Sequence, residues 1–274
     1  MRSPLPLALC TLLLAGFGES LRAQYGEYIR TGRPGQSIGT YCVGANTLQF
    51  QQGVTYRHVA RENASTPLDR STVSTTHVVR YGITADFEVS GVLRLQRDEF
   101  AGFGGAPDRT RSGVSNTQLG VRYNVTSETE NIPSIDVQTR LLLRAQASEF
   151  RRSGVGTSTI VAIGKRLPGA FAGLINVILT HDGNRAQLQP AYTASLRYSP
   201  AQKWSLFLEG YGRLDDFTFS VDGGVGYFLS PDVKLDLFGG LEGFGDIEGE
   251  APGIEDDFFV SAGVSWRIDW RDEK

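Results

Sequence analysis

Residues 258–270 read FFVSAGVSWRIDW, and their alternation decides the fold. Phe258, Val260, Ala262, Val264, Trp266, Ile268 and Trp270 share one face. Ser261, Gly263, Ser265, Arg267 and Asp269 share the other, with Phe259 the exception. A period of two puts apolar and polar side chains on opposite sides of an extended strand. The pattern recurs upstream. Val233, Leu235, Leu237 and Leu241 oppose Lys234, Asp236 and Gly240. Phe217, Phe219, Val221, Val225, Tyr227 and Leu229 oppose Thr218, Ser220 and Asp222. Val137, Leu141 and Leu143 oppose Asp136, Gln138, Arg140, Arg144 and Gln146.

Working back from this end gives about twelve strands. Their predicted spans are 47–58, 73–83, 86–96, 115–124, 134–147, 155–166, 170–181, 187–198, 203–213, 216–229, 232–244 and 256–268. In the sixth, Lys165 falls on the face that carries Val161 and Ile163. Most spans match the about 9–11 residues of a membrane-crossing strand better than the about 5–6 of a soluble sandwich. Short connections such as Thr84-Ala85, Leu167-Pro168-Gly169 and Ser230-Pro231 alternate with longer, charged ones such as 59–72, 97–114 and 245–255. That asymmetry belongs to outer-membrane barrels, with both chain ends on the periplasmic side. Residues 125–133 are long for a periplasmic turn, and Leu214-Asp215 is short for an outer loop. Tyr81, Tyr123, Tyr198, Trp204, Tyr227, Trp266 and Trp270 lie near strand ends, where interfacial aromatics sit. The fold class is all-β: an antiparallel transmembrane β-barrel of about twelve strands.

Composition agrees. Of 274 residues, 33 are Gly and 25 are Tyr or Phe, and 27 Lys and Arg nearly balance 30 Asp and Glu. Near-neutral charge argues against nucleic-acid binding, which uses a strongly basic face. Leu5 to Phe17 is an apolar run behind Arg2, and Leu21-Arg22-Ala23 offers a cleavage site. The run is shorter than the roughly 20 residues of a membrane helix, so 1–23 reads as a signal peptide for export. Residues 24–46 read as an N-terminal periplasmic segment, and 47–274 as the barrel in the bacterial outer membrane. Without 1–23, Cys42 is the single cysteine, so no internal disulfide is possible.

If the apolar faces meet lipid, the polar faces line the interior. The predicted pore-lining residues are Arg80, Glu88, Arg94, Arg122, Arg140, Arg144, Glu209, Arg213, Asp222, Lys234 and Asp236. Arg57, Asp136, Arg197 and Arg267 fall on the same face, making ten cations against five acids. Such a face fits a water-filled pore biased toward anions. It equally fits a plugged lumen in which arginines and carboxylates satisfy each other. His58, His77 and His181 lack partners at metal-ligand spacing, so no catalytic residue, metal site or cofactor is expected. The stretch from Asp246 to Asp257 reads as a solvated acidic outer loop.

Five segments resemble a bacterial family of outer-membrane transporters described as "MetA-pathway of phenol degradation" proteins. They are Val79 to Glu88, Phe207 to Tyr211, Asp222 to Tyr227, Asp232 to Gly240 and Asp257 to Ile268, in that order. The resemblance implies a barrel that carries small, aromatic solutes, and it carries over no site residues. One departure is the ending: Trp270 is followed by Arg271-Asp272-Glu273-Lys274, where such barrels commonly finish on an aromatic residue. The expected surroundings are outer-membrane lipid and lipopolysaccharide, the barrel assembly machinery and small solutes. The expected function is a channel for small anionic or aromatic solutes. The alternatives are a structural or adhesive barrel acting through its outer loops, and a soluble periplasmic β protein.

Overall fold

A computed structural model describes residues 27–61, 68–102, 107–201, 203–215, 218–244 and 257–270. The stretch read as a signal peptide and the acidic outer loop up to residue 256 lie outside the described residues. Twelve strands follow in order: β1 Thr47–Arg61, β2 Leu68–Gly82, β3 Phe87–Phe100, β4 Arg109–Thr126, β5 Ser134–Leu142 and β6 Gly156–Arg166. The second half is β7 Phe171–His181, β8 Gln189–Ala201, β9 Trp204–Arg213, β10 Phe219–Ser230, β11 Val233–Phe244 and β12 Phe258–Asp269. Each pairs antiparallel with its sequence neighbours. β1 also pairs with β12, from Thr47↔Asp269 to His58↔Phe258, and this closes the barrel. Closure leaves no strand edge, which is what lets a sheet stand in hydrocarbon.

The twelve strands match the sequence reading, and several run further outward than the alternation indicated. β2 begins at Leu68, β3 continues to Phe100 and β4 begins at Arg109. These extensions carry few apolar residues, so no period of two marks them. β5 is shorter than expected and ends at Leu142, followed by a 3-10 turn over Ser148–Phe150.

The outward face is apolar: Leu208, Leu237, Val177 and Val121 are exposed there. Aromatic pairs ring the rim that carries the chain ends and short turns. Phe171 stacks on Tyr198 at 4.6 Å, Trp204 lies 4.6 Å from Tyr227, and Phe50 stacks on Trp266 at 5.0 Å. This is the interfacial girdle of an outer-membrane barrel, and the rim is the periplasmic one. An apolar belt around the whole circumference is incompatible with the soluble alternative. The ambiguity of β6 resolves at this rim. Lys165 does point outward with Ile163, but its Nζ reaches back to the carbonyls of Thr129 and Glu130 at 2.5 and 2.6 Å. The ammonium thereby snorkels out of the lipid, and the long 127–133 turn supplies its acceptors.

Residues 27–46 do not form a segment outside the barrel. They run through its interior as an irregular inner strap. No local pattern marks this, because the segment has no periodicity of its own.

The membrane-facing belt can be tested directly. Leu208→Arg, in the middle of β9, is expected to destabilise the folded barrel by about 2–4 kcal/mol. Urea titration of protein refolded in lipid vesicles measures this. A change below about 0.5 kcal/mol would put Leu208 away from the lipid midplane.

Candidate functional site: the strapped lumen

The inward face of the barrel is polar, and most of it is spent on the strap. A chain without regular structure must still satisfy each buried N–H and C=O. Here inward side chains do so one strand after another. The strap enters where the Ile29 N–H donates to the Pro231 carbonyl, beside β11. Arg33 donates to Asp236 and to Ser261, both at 2.9 Å. Lys234 donates to the Arg33 carbonyl at 3.2 Å. The Gln36 and Ser37 N–H groups donate to the Glu209 carboxylate. Asn176 makes a two-way match with Ile38: its Oδ1 accepts the N–H at 2.7 Å and its Nδ2 donates to the carbonyl at 3.1 Å. Ser134 donates to the Thr40 carbonyl at 3.1 Å.

Beyond Thr40 the strap meets a buried charge cluster. Arg80 grips Glu88 by two bonds, Nε to Oε1 at 2.8 Å and Nη2 to Oε2 at 2.7 Å. Arg122, directly across from Glu88 in the β3–β4 register, lies 3.8 Å from it. Both arginines also donate to the Tyr41 carbonyl, and Glu88 accepts the Val43 N–H at 3.0 Å. Cys42 is buried beside them, its Sγ donating to the Asp86 carbonyl at 3.2 Å. Burial pushes its thiol up to about 12, so it stays protonated at neutral pH. The strap then joins β1, having met inward residues from β11 round to β2.

Missing side chains make room for it. Gly53 and Gly263 face each other across the β1–β12 seam, and a Cβ on either would run into the Arg33 guanidinium. At Gly82 a Cβ would collide with the Gly44 carbonyl. Small apolar contacts complete the seat: Ile38 packs on Ile160 and Ala162.

Of the predicted pore-lining residues, Arg80, Glu88, Arg122, Glu209, Asp222, Lys234 and Asp236 are buried inside the barrel. Arg80, Glu88, Arg122, Glu209, Lys234 and Asp236 bond to the strap. Arg140 lies in β5 with its guanidinium on Gln138. Arg94 faces open lumen, and Arg213 sits at the outer end of β9 paired with Asp215 at 2.7 Å. Arg144 lies beyond the end of β5, exposed, with Nε on the Arg152 carbonyl, because the strand stops at Leu142.

The strap lies between two cavities of the lumen. A periplasmic one of about 430 Å³ is lined by Arg30, Pro34, Tyr41, Phe207 and Lys234 among others. An outer one of about 220 Å³ is lined by Arg33, Arg57, Arg70, Arg94, Phe238 and Phe259 among others. Pro34 faces the first, and Arg33, Gly35 and Gln36 face the second, so these few residues are the partition. Sequence reading missed three features here. Arg33 lies in the strap, Arg70 lies in the polar extension of β2, and Phe259 points inward with Phe207 and Phe238. The odd position of Phe259 in its strand was the one available signal.

A closed, lipid-belted barrel with a polar lumen and an inner strap defines the class: an outer-membrane β-barrel built like channels and porins. The chain belongs to the family described as "Putative MetA-pathway of phenol degradation", whose profile matches residues 31–245 and so includes most of the strap. Among solved structures, an outer membrane channel from Pseudomonas putida F1 is similar, with a TM-score of 0.65 at 13% identity. That match covers 86% of this chain and 99% of the other. The KdgM porin has a TM-score of 0.51 at 9% identity, covering 78% of this chain and 98% of that one. The NanC porin has a TM-score of 0.51 at 11% identity, covering 80% and 100%. At these identities the likeness is one of fold. No curated protein matches the sequence.

The charge cluster holds the strap, and breaking it should show. Arg80→Met leaves the Glu88 carboxylate buried without its bidentate partner, at an expected cost of about 3–5 kcal/mol in unfolding titrations. In protein that begins after residue 23, maleimide should label Cys42 slowly in the wild type and at least about tenfold faster in Arg80→Met, as the strap opens locally. Equal labelling would mean that the cluster does not hold this part of the strap.

Proposed function

We propose that the protein is a passive channel for small anionic solutes and that its strap sets the pore. The carrying observation is the pair of cavities on either side of the Arg33–Gln36 partition. A purely structural barrel needs neither cavity. Charge supports the anionic preference. In the periplasmic half, Arg80 and Arg122 are largely spent on Glu88. In the outer cavity, guanidinium groups outnumber carboxylates. A ring of uncompensated charge selects ions of the opposite sign. Export by the 1–23 signal and assembly into an outer membrane bearing lipopolysaccharide belong to this reading. No step in it requires catalysis or a cofactor.

The strap is held by many hydrogen bonds of about 0.5–1.5 kcal/mol each. Weakening a few near the partition should widen the pore without unfolding the barrel. The expected result in planar bilayers is a small conductance for the wild type. Asn176→Ala combined with Glu209→Gln should raise it several-fold, with chloride favoured over potassium in reversal potentials. Absence of conductance in both proteins would overturn the channel reading. It would favour a structural or adhesive barrel, whose phenotype should vanish on deletion of the outer loops.

A further inference from the structure

We propose that the outer cavity is a binding site for a small organic carboxylate with a single ring, held by Arg70 and Arg94 against an apolar floor. The proposal deepens the channel reading, since the site would lie on the solute's path.

Four guanidinium groups line this cavity: Arg33, Arg57, Arg70 and Arg94. Two are already matched. Arg33 pairs with Asp236 at 2.9 Å and Arg57 with Glu242 at 3.1 Å. The other two have no carboxylate partner among the described residues. Arg94 bonds through Nε to the Thr76 hydroxyl at 3.1 Å. Arg70 keeps a buried Nε with no hydrogen-bond partner. The adjacent acid is Asp98, cross-strand from Thr72, and it is used up: it accepts from Thr72 at 2.7 Å, Gln96 at 2.8 Å and Arg111 at 2.6 Å. Two positive charges therefore face the cavity uncompensated. An unpartnered N–H in such a place is costly unless something accepts from it.

The remaining lining says what kind of anion fits. Thr55, Ser74 and Thr76 add hydroxyl donors. Val78, Phe238 and Phe259 add an apolar floor. The two rings are themselves fixed: Arg33 lies over Phe238 at 5.2 Å, Arg57 over Phe259 at 5.7 Å, and the rings meet edge to face at 5.6 Å. Inorganic anions have no use for such a floor. The volume of about 220 Å³ lies below the about 300–1,000 Å³ of sites for drug-sized ligands, which limits the body to about one ring. Guanidinium forks suit a carboxylate, because its two oxygens can take parallel N–H donors.

Titration calorimetry on detergent-solubilised protein tests this with three probes. Benzoate has the charge and the ring, benzyl alcohol has the ring alone, and inorganic phosphate has the charge alone. Benzoate should bind at least about tenfold more tightly than either. Arg94→Gln and Arg70→Gln should each weaken benzoate about tenfold, and Arg94→Lys should recover part of the loss. A heat-modifiability gel shows which variants are folded, and either folded arginine variant suffices for the reading. The site is overturned if benzoate binds no better than benzyl alcohol, if phosphate binds as tightly, or if a folded Arg→Gln variant binds benzoate like the wild type. Binding without conductance would overturn the channel and leave the site standing. Conductance without binding would do the reverse.

Discussion

A buried peptide group must find a hydrogen-bond partner, and this protein meets that demand twice. In the wall the solution is closure: β1 pairs with β12 and no strand edge meets lipid. Inside, the solution is less regular. The strap brings some twenty residues of unpaired backbone into the lumen, and side chains of the wall must complete it. Glu209, Asn176, Ser134, Arg80, Arg122 and Glu88 each bond a strap N–H or carbonyl. Six of the inward charges that resemble a pore lining, Arg80, Glu88, Arg122, Glu209, Lys234 and Asp236, thus fasten the strap.

The same requirement shapes the lumen's electrostatics. Where the strap passes, Arg80 and Arg122 are matched by Glu88 and by the Tyr41 carbonyl. Above the partition there is no strap backbone to accept from arginines. Arg70 and Arg94 face the outer cavity there without a carboxylate partner among the described residues. A cationic cavity and a structural strap thereby share one barrel, and residues 33–36 are the boundary between them.

Glycine placement ties wall to strap. Gly53 and Gly263 lie opposite each other on the inward faces of β1 and β12. Their missing Cβ atoms hold the Arg33 guanidinium, which in turn reaches Asp236 and forms part of the partition. A methyl group at either position would push Arg33 from its place. The seam that closes the barrel is therefore also the seat of the group that divides its lumen.

The sequence by itself determined the barrel, its strand number and which side chains face inward, because a period of two is a local property of each strand. Arg80, Glu88, Arg122, Glu209, Lys234 and Asp236 were all legible as interior residues for that reason. Local pattern fails where both faces are polar, so the outer reach of β2 and with it Arg70 stayed hidden, and Arg144 was given to a strand that had already ended. Tertiary structure alone decided that residues 27–46 lie inside. Nothing local distinguishes a strap in the lumen from a tail in the periplasm. The difference lies in partners more than a hundred residues away, such as Asn176 for Ile38 and Asp236 for Arg33.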